Sequence, residues 1–205
     1  LEDAHEALFR RAQRGELGLE DLGGVLADPG DAGLGALGDG RQLHRVAGDE
    51  DRLGIVITGA QHAREWVAAS SAMWIAEHLV DGYGVDPEVT ALLDQYRVVV
   101  VPIANPDGYE FTWTTDRLWR KNRAVNDDGT FGVDLNRNWD AAWIGVGSSP
   151  NGSSGNYRGT APFSEPETAD LSAWIVDRPT IGLHLDLHCT GQLAVHPFAF
   201  TPAPI

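Results

Sequence analysis

The stretch Gly59-Ala60-Gln61-His62-Ala63-Arg64-Glu65-Trp66 sets an imidazole and a carboxylate three positions apart, where the apolar run 53–58 ends and a helical pattern begins. If the backbone turns from strand to helix between them, both side chains reach one point in space. Two nitrogens and one carboxylate bind zinc readily and leave its fourth position for water. His62 and Glu65 therefore form an incomplete zinc site that needs a second histidine from elsewhere in the chain.

That histidine should close another strand. Residues 181–188 (IGLHLDLH) alternate strictly, with leucines on one side and His184, Asp186 and His188 on the other, and predict a strand ending at His188. A strand rises ~3.3 Å per residue, which puts His184 roughly 13 Å behind His188 and beneath the layer covering the sheet. His188 is the preferred second imidazole, and His184 reads as a core histidine or one that supports the site.

The elements that must position these groups follow from periodicity. Residues 53–58 (LGIVIT) predict a buried strand and residues 66–80 a helix, while Asp86-Pro87 has the N-cap and first-turn chemistry to start another helix through Tyr96. Residues 97–103 (RVVVVPI) are too apolar for a half-exposed strand. Strand, helix, helix, strand, with both strands buried on two faces, predicts an α/β fold with a mixed, largely parallel central sheet and helices on both faces. Ligands of such sheets gather beyond the carboxyl ends of the strands, where His62 and Asn105-Pro106-Asp107-Gly108-Tyr109 fall. Residues 120–162 show little periodicity and many Gly, Ser, Asn and Trp, a loop long enough to be functional. Ser164-Glu165-Pro166-Glu167 has the Ser-x-x-Glu form of a capping box and predicts a helix over 165–176. Upstream, residues 2–14 have helical spacing with a stop at Gly15, a second helix is expected over 19–26, a loop over 28–40 and a short edge strand over 42–47. With no internal repeat and no domain-separating linker, residues 1–205 read as a single domain.

Composition narrows the function. A formal charge of −15 with one lysine, Lys121, argues against a nucleic-acid partner, which needs clustered basic residues. Positive chemistry must rest on arginine, whose planar fork grips a carboxylate through two parallel hydrogen bonds. The single cysteine, Cys189, allows no intrachain disulfide and reads as a small buried residue. No apolar run approaches the ~20 residues that span a bilayer and no signal peptide is read, so a soluble chain with no membrane partner is expected.

Taken together, GAQHAREW (59–66), NPDGYEF (105–111), LWRKNR (118–123), GVDLNRNW (132–139), PFSEPE (162–167) and LHCTGQL (187–193) resemble the zinc metallocarboxypeptidases of the carboxypeptidase A and B type. The likeness runs in order from about residue 41 to 200, and residues 1–40 match poorly. The resemblance assigns zinc to His62, Glu65 and His188, and implies that Asn136 and Arg137 hold the substrate's terminal carboxylate. It implies that Arg123 polarises the scissile carbonyl, that Arg64 and Arg120 line the outer cleft, and that Asp134 accepts the spare N–H of the first zinc histidine. Read alone, Asp134 is equally a loop aspartate capping its own backbone. The expected activity is release of C-terminal amino acids from a peptide or protein.

The alternatives are a zinc amidase or deacylase of the same fold and a non-catalytic zinc-holding peptide-binding domain. The family takes its general-base glutamate and a mobile tyrosine from beyond the third ligand, so these, with the last strands, are expected to be missing from residues 1–205. The strand over 181–188 would then present an unpaired edge, with self-association as one expected outcome. Relatives of this kind are often secreted, and an extracellular location is expected.

Overall fold

A computed structural model describes residues 44–45 and 51–195. The helices expected over 2–14 and 19–26 and the loop over 28–40 lie outside the described residues. The elements run β1 (His44–Arg45), β2 (Leu53–Gly59), α1 (Trp66–Gly82), α2 (Pro87–Gln95), β3 (Tyr96–Val101), α3 (Pro106–Thr114), a 3-10 turn (Leu135–Arg137), α4 (Pro166–Val176) and β4 (Ile181–Leu187).

The sheet order is β1-β3-β2-β4. β2 pairs in parallel with both β3 and β4, and β1 adds an antiparallel edge, so the sheet is mixed and largely parallel. Alternation along β3 explains its unbroken apolar run. Val98 and Val100 pack with Ile57 against Ala72, Ala76 and Leu79 of α1 and Val89 and Leu93 of α2, whereas Val99 and Val101 meet Trp174 of α4 on the opposite face. A strand covered on both faces has no polar side to present. β4 departs from this pattern, because Leu183 and Leu185 remain 46% and 43% exposed at the sheet edge.

Helix starts follow local chemistry, with one exception. Asp86 caps α2 by accepting the Glu88 and Val89 N–H groups, and Asn105 caps α3 by accepting that of Gly108. The capping box expected at Ser164 does not form. Glu165 is the N-cap residue and its side chain makes no cap bond; Ser164 Oγ donates to Glu165 Oε1 instead, while Glu165 Oε2 and Glu167 accept the Asn122 amide at 2.7–3.3 Å. The two buried glutamates are drawn into a tertiary network that outweighs the local motif. Near the start of α1, Trp66 stacks on Trp113 of α3 with centroids 3.7 Å apart and planes 9° from parallel. No helix among the described residues is long and apolar enough to cross a membrane.

Candidate metal centre

Strand register brings the two halves of the site together. Gly59, the last residue of β2, pairs with Leu187, the last of β4, so the chain leaves the sheet side by side towards His62 and at His188. A Cβ at Gly59 would stand 2.8 Å from the carbonyl oxygens of both Ala68 and Pro102, an approach only glycine permits. Ala60 then takes φ +53° while fully buried, a left-handed backbone that costs an L-residue ~1–2 kcal/mol. The Ala63 N–H donates to Arg120 O at 3.0 Å and ties this turn to the 118–122 segment.

His62 Nδ1 lies 2.9 Å from Glu65 Oε1, His188 Nδ1 lies 2.8 Å from Glu65 Oε2, and the two Nδ1 atoms are 3.1 Å apart. One donor atom from each residue falls within 4.8 Å of the others. Bonds of ~2.1 Å around a tetrahedral zinc set its ligand atoms ~3.4 Å apart, so the cluster needs only a small expansion to hold the ion. Glu65 is the N-cap residue of α1, yet its carboxylate caps nothing and turns towards the two imidazoles. It thereby forgoes the ~0.5–2 kcal/mol of an N-cap.

The outer nitrogens face carboxylates. His62 Nε2 is 3.2 Å from Asp134 Oδ1, without the alignment of a full hydrogen bond, and is otherwise a buried nitrogen lacking a partner. Asp134 is fully buried, accepts Arg120 Nε and a terminal nitrogen on Oδ2 at 3.1 and 2.8 Å, and caps the 3-10 turn through Asn136 N–H. It caps its own loop backbone and also lies beside the first histidine of the cluster. His188 Nε2 lies 2.7 Å from Asp186 Oδ2. The carboxylates of Glu65, Asp134 and Asp186 against the one guanidinium of Arg120 leave a charge of minus two when the imidazoles are neutral, which a divalent cation balances.

The titration behaviour reflects this demand for positive charge. Burial pulls the His188 pKa down, but the Asp186 and Glu65 carboxylates win and push it up to about 10. Burial opposes ionisation of Glu65, yet hydrogen bonds from His188 and His62 hold it far below the usual carboxylate range. Asp134 is likewise lowered against burial, by His62 and Arg120.

Of the other residues singled out in the sequence, Asn136 Nδ2 lies 3.4 Å from His188 Nε2, and Arg137 donates to Gly147 O and Asn136 O. Arg64 is exposed, 3.5 Å from Leu118 O. The Arg123 guanidinium lies over the Phe111 ring at 3.7 Å, with Trp119 at 4.6 Å and Phe131 at 5.0 Å. Arg120, expected only in the outer cleft, is the arginine that touches the cluster, through Asp134. Asp186 and Gln61, whose amide donates to Asp186 Oδ2 at 2.6 Å, were missed as site residues. The signal was present for Asp186, since strand alternation sets it on the same face as His188.

A largely parallel sheet with a His-Glu-His cluster beyond its carboxyl ends defines an α/β domain with a site able to hold one metal ion. The zinc carboxypeptidase family model matches residues 36–204, and this chain belongs to that family. It is 43% identical over 142 residues to carboxypeptidase O of Bos taurus, covering 68% of this chain and 38% of that protein. It is 40% identical over 154 residues to the inactive metallocarboxypeptidase ECM14 of Uncinocarpus reesii, covering 72% and 26%. The structure of bovine thrombin-activatable fibrinolysis inhibitor, in complex with tick carboxypeptidase inhibitor, superposes with a TM-score of 0.72 at 30% identity, covering 80% of this chain and 53% of that one. The chain thus spans only part of the length of these relatives.

Proposed function

We propose that this chain carries the zinc-binding and carboxylate-anchoring parts of a metallocarboxypeptidase that removes the C-terminal residue of a peptide or protein. The observation that supports this reading most directly is the convergence of His62, Glu65 and His188 on one point. Zinc bound there would supply a Lewis acid and a water of lowered pKa. Around it, the protein's own residues hold the substrate. Asn136 and Arg137 sit on the 3-10 turn capped by Asp134, so the carboxylate anchor is rigidly referenced to His62. An arginine fork there would receive the terminal carboxylate with charge-assisted hydrogen bonds. Arg123 would polarise the scissile carbonyl and steady the negative charge that develops on its oxygen, and Arg120, tied to Asp134, would line the cleft beside it. Arg64, at the rim, would contact residues further from the scissile bond.

A second reading, a zinc-holding peptide-binding domain without turnover, is favoured by one observation. Glu165 and Glu167 accept the Asn122 amide and Glu110 is exposed on α3, so none of them stands ready as general base. General-base help is typically worth ~10²–10⁴-fold. A zinc-loaded sample assayed on a blocked dipeptide with a free C-terminus, and on its amide, separates the readings. Turnover of the acid alone supports the carboxypeptidase, binding without turnover the second reading, and equal handling of acid and amide an amidase.

A further inference from the structure

The third metal ligand is held by a hydrogen-bond array of its own. Asp186 Oδ2 receives His188 Nε2 at 2.7 Å and Gln61 Nε2 at 2.6 Å, and Asp186 Oδ1 receives the Thr58 hydroxyl at 2.9 Å. Each of these donors from β2 and the turn after it is fixed by a further group: Trp139 Nε1 donates to Gln61 Oε1 at 3.1 Å, and His184 Nε2 lies 3.0 Å from Thr58 Oγ1. A hydroxyl has one hydrogen to give, and the carboxylate is the stronger acceptor, so His184 donates to Thr58 and Thr58 to Asp186. The Trp139 and His184 arms are therefore both polarised towards Asp186.

We propose that Asp186 is the positioning residue for His188, counterpart to Asp134 at His62, and that the Thr58 and Gln61 arms fix its orientation. This rests on the metal-centre reading above. A neutral imidazole carries one N–H, and the carboxylate at 2.7 Å holds it on Nε2. The Nδ1 lone pair is then left facing Glu65 Oε2 and His62 Nδ1, where the metal belongs. Asn136 Nδ2, at 3.4 Å from the same Nε2, is a neutral group at longer range and does not compete for that role. The two carboxylates differ in one respect. Asp134 carries an ion pair with Arg120, whereas Asp186 is held, besides His188, by the neutral donors Thr58 and Gln61. The charge of Asp186 thus acts directly through His188, raising its basicity as a ligand. Trp139, two residues beyond Arg137, joins this array to the segment that carries the proposed carboxylate anchor.

The test uses the whole 205-residue chain. Zinc affinity is measured by chelator competition, and the visible spectrum is recorded after cobalt substitution, for the parent, Asp186→Asn and Thr58→Val. Circular dichroism of each metal-free protein checks folding. We expect Asp186→Asn to weaken zinc binding about 10- to 100-fold and shift the cobalt bands, with a smaller loss in the same direction for Thr58→Val. If Asp186→Asn is poorly folded, Thr58→Val decides alone. A folded Asp186→Asn that binds zinc within twofold of the parent, with unchanged cobalt bands, overturns the proposal, as does an unaffected Thr58→Val when it decides alone. Failure of the parent to bind zinc would instead overturn the metal-centre reading.

Discussion

The Nδ1 atoms of His62 and His188 face each other across 3.1 Å, their rings tilted by 45°. Two neutral imidazoles cannot both direct lone pairs into so short a gap without repulsion, so a proton or a cation must lie between them. Each ring supplies one of the two nitrogens that a His-Glu-His set requires. His62→Ala and His188→Ala should therefore lose zinc to a similar extent, measured by elemental analysis after dialysis. Full retention of metal by His188→Ala would remove that residue from the site and leave His184 to be considered.

The elevated His188 pKa gives a pH dependence with a definite sign. Because it is raised from 6.5 to about 10, its contribution to the stability of the metal-free protein is complete below pH 6.5 and disappears as pH rises through 10. Zinc must displace that proton, so loading at pH 8 should release close to one proton per chain from this residue. Apparent affinity should rise ~10-fold per pH unit below the folded pKa. Calorimetry in buffers of different ionisation enthalpy measures the proton, and thermal melts at pH 6, 8 and 10 measure the stability term. A metal-free protein that gains stability between pH 8 and 10 would contradict the assignment.

Arg120 and Arg123 are separable by substitution. Arg123→Ala removes a cation stacked on aromatic rings and should cost ~0.5–2 kcal/mol of stability while leaving zinc affinity unchanged. Arg120→Ala leaves a fully buried Asp134 without its ion pair, so it should both destabilise the fold and disturb His62. Zinc titration of both variants checks this. A larger loss of zinc affinity from Arg123→Ala than from Arg120→Ala would overturn this division.

These two arginines also show how far the sequence could be read. His62, Glu65 and His188 were legible because each stands just beyond a strand end, and strands announce themselves by apolar runs and alternation. Arg120 and Arg123 lie in a segment without periodicity, where nothing local announces that Arg120 pairs with Asp134 or that Arg123 lies over Phe111, Trp119 and Phe131. The sheet was readable as mixed and largely parallel, but not in its order of β1-β3-β2-β4, which depends on long-range pairing. The helix start at Glu165 was not, since Asn122, 43 residues away, competes for its carboxylate.

Arg137 provides a test in substrate chemistry. If it grips a terminal carboxylate, amidating the C-terminus of a peptide should weaken binding by ~1.5–3 kcal/mol, and Arg137→Ala should no longer distinguish acid from amide. Equal affinity of the parent for both forms would move the assignment towards an amidase.

The edge at β4 bears on association. Among the described residues β4 pairs only with β2, and Leu183 and Leu185 are uncovered beside it. If that face mediates self-association, light scattering should show mass rising with concentration, and Leu185→Lys should suppress the rise. A parent that stays monomeric at high concentration would show that this edge is not an association surface.

The stacked indoles at the start of α1 turn this region into its own optical gauge. Trp66 follows Glu65 directly, and its ring lies 3.7 Å from that of Trp113, close enough for their excited states to couple. Any rotation of the first turn of α1 when Glu65 engages a cation changes the angle between the two transition dipoles. Near-ultraviolet circular dichroism of the unlabelled chain can follow occupancy of the centre in real time, and Trp113→Phe should silence that signal without touching a ligand.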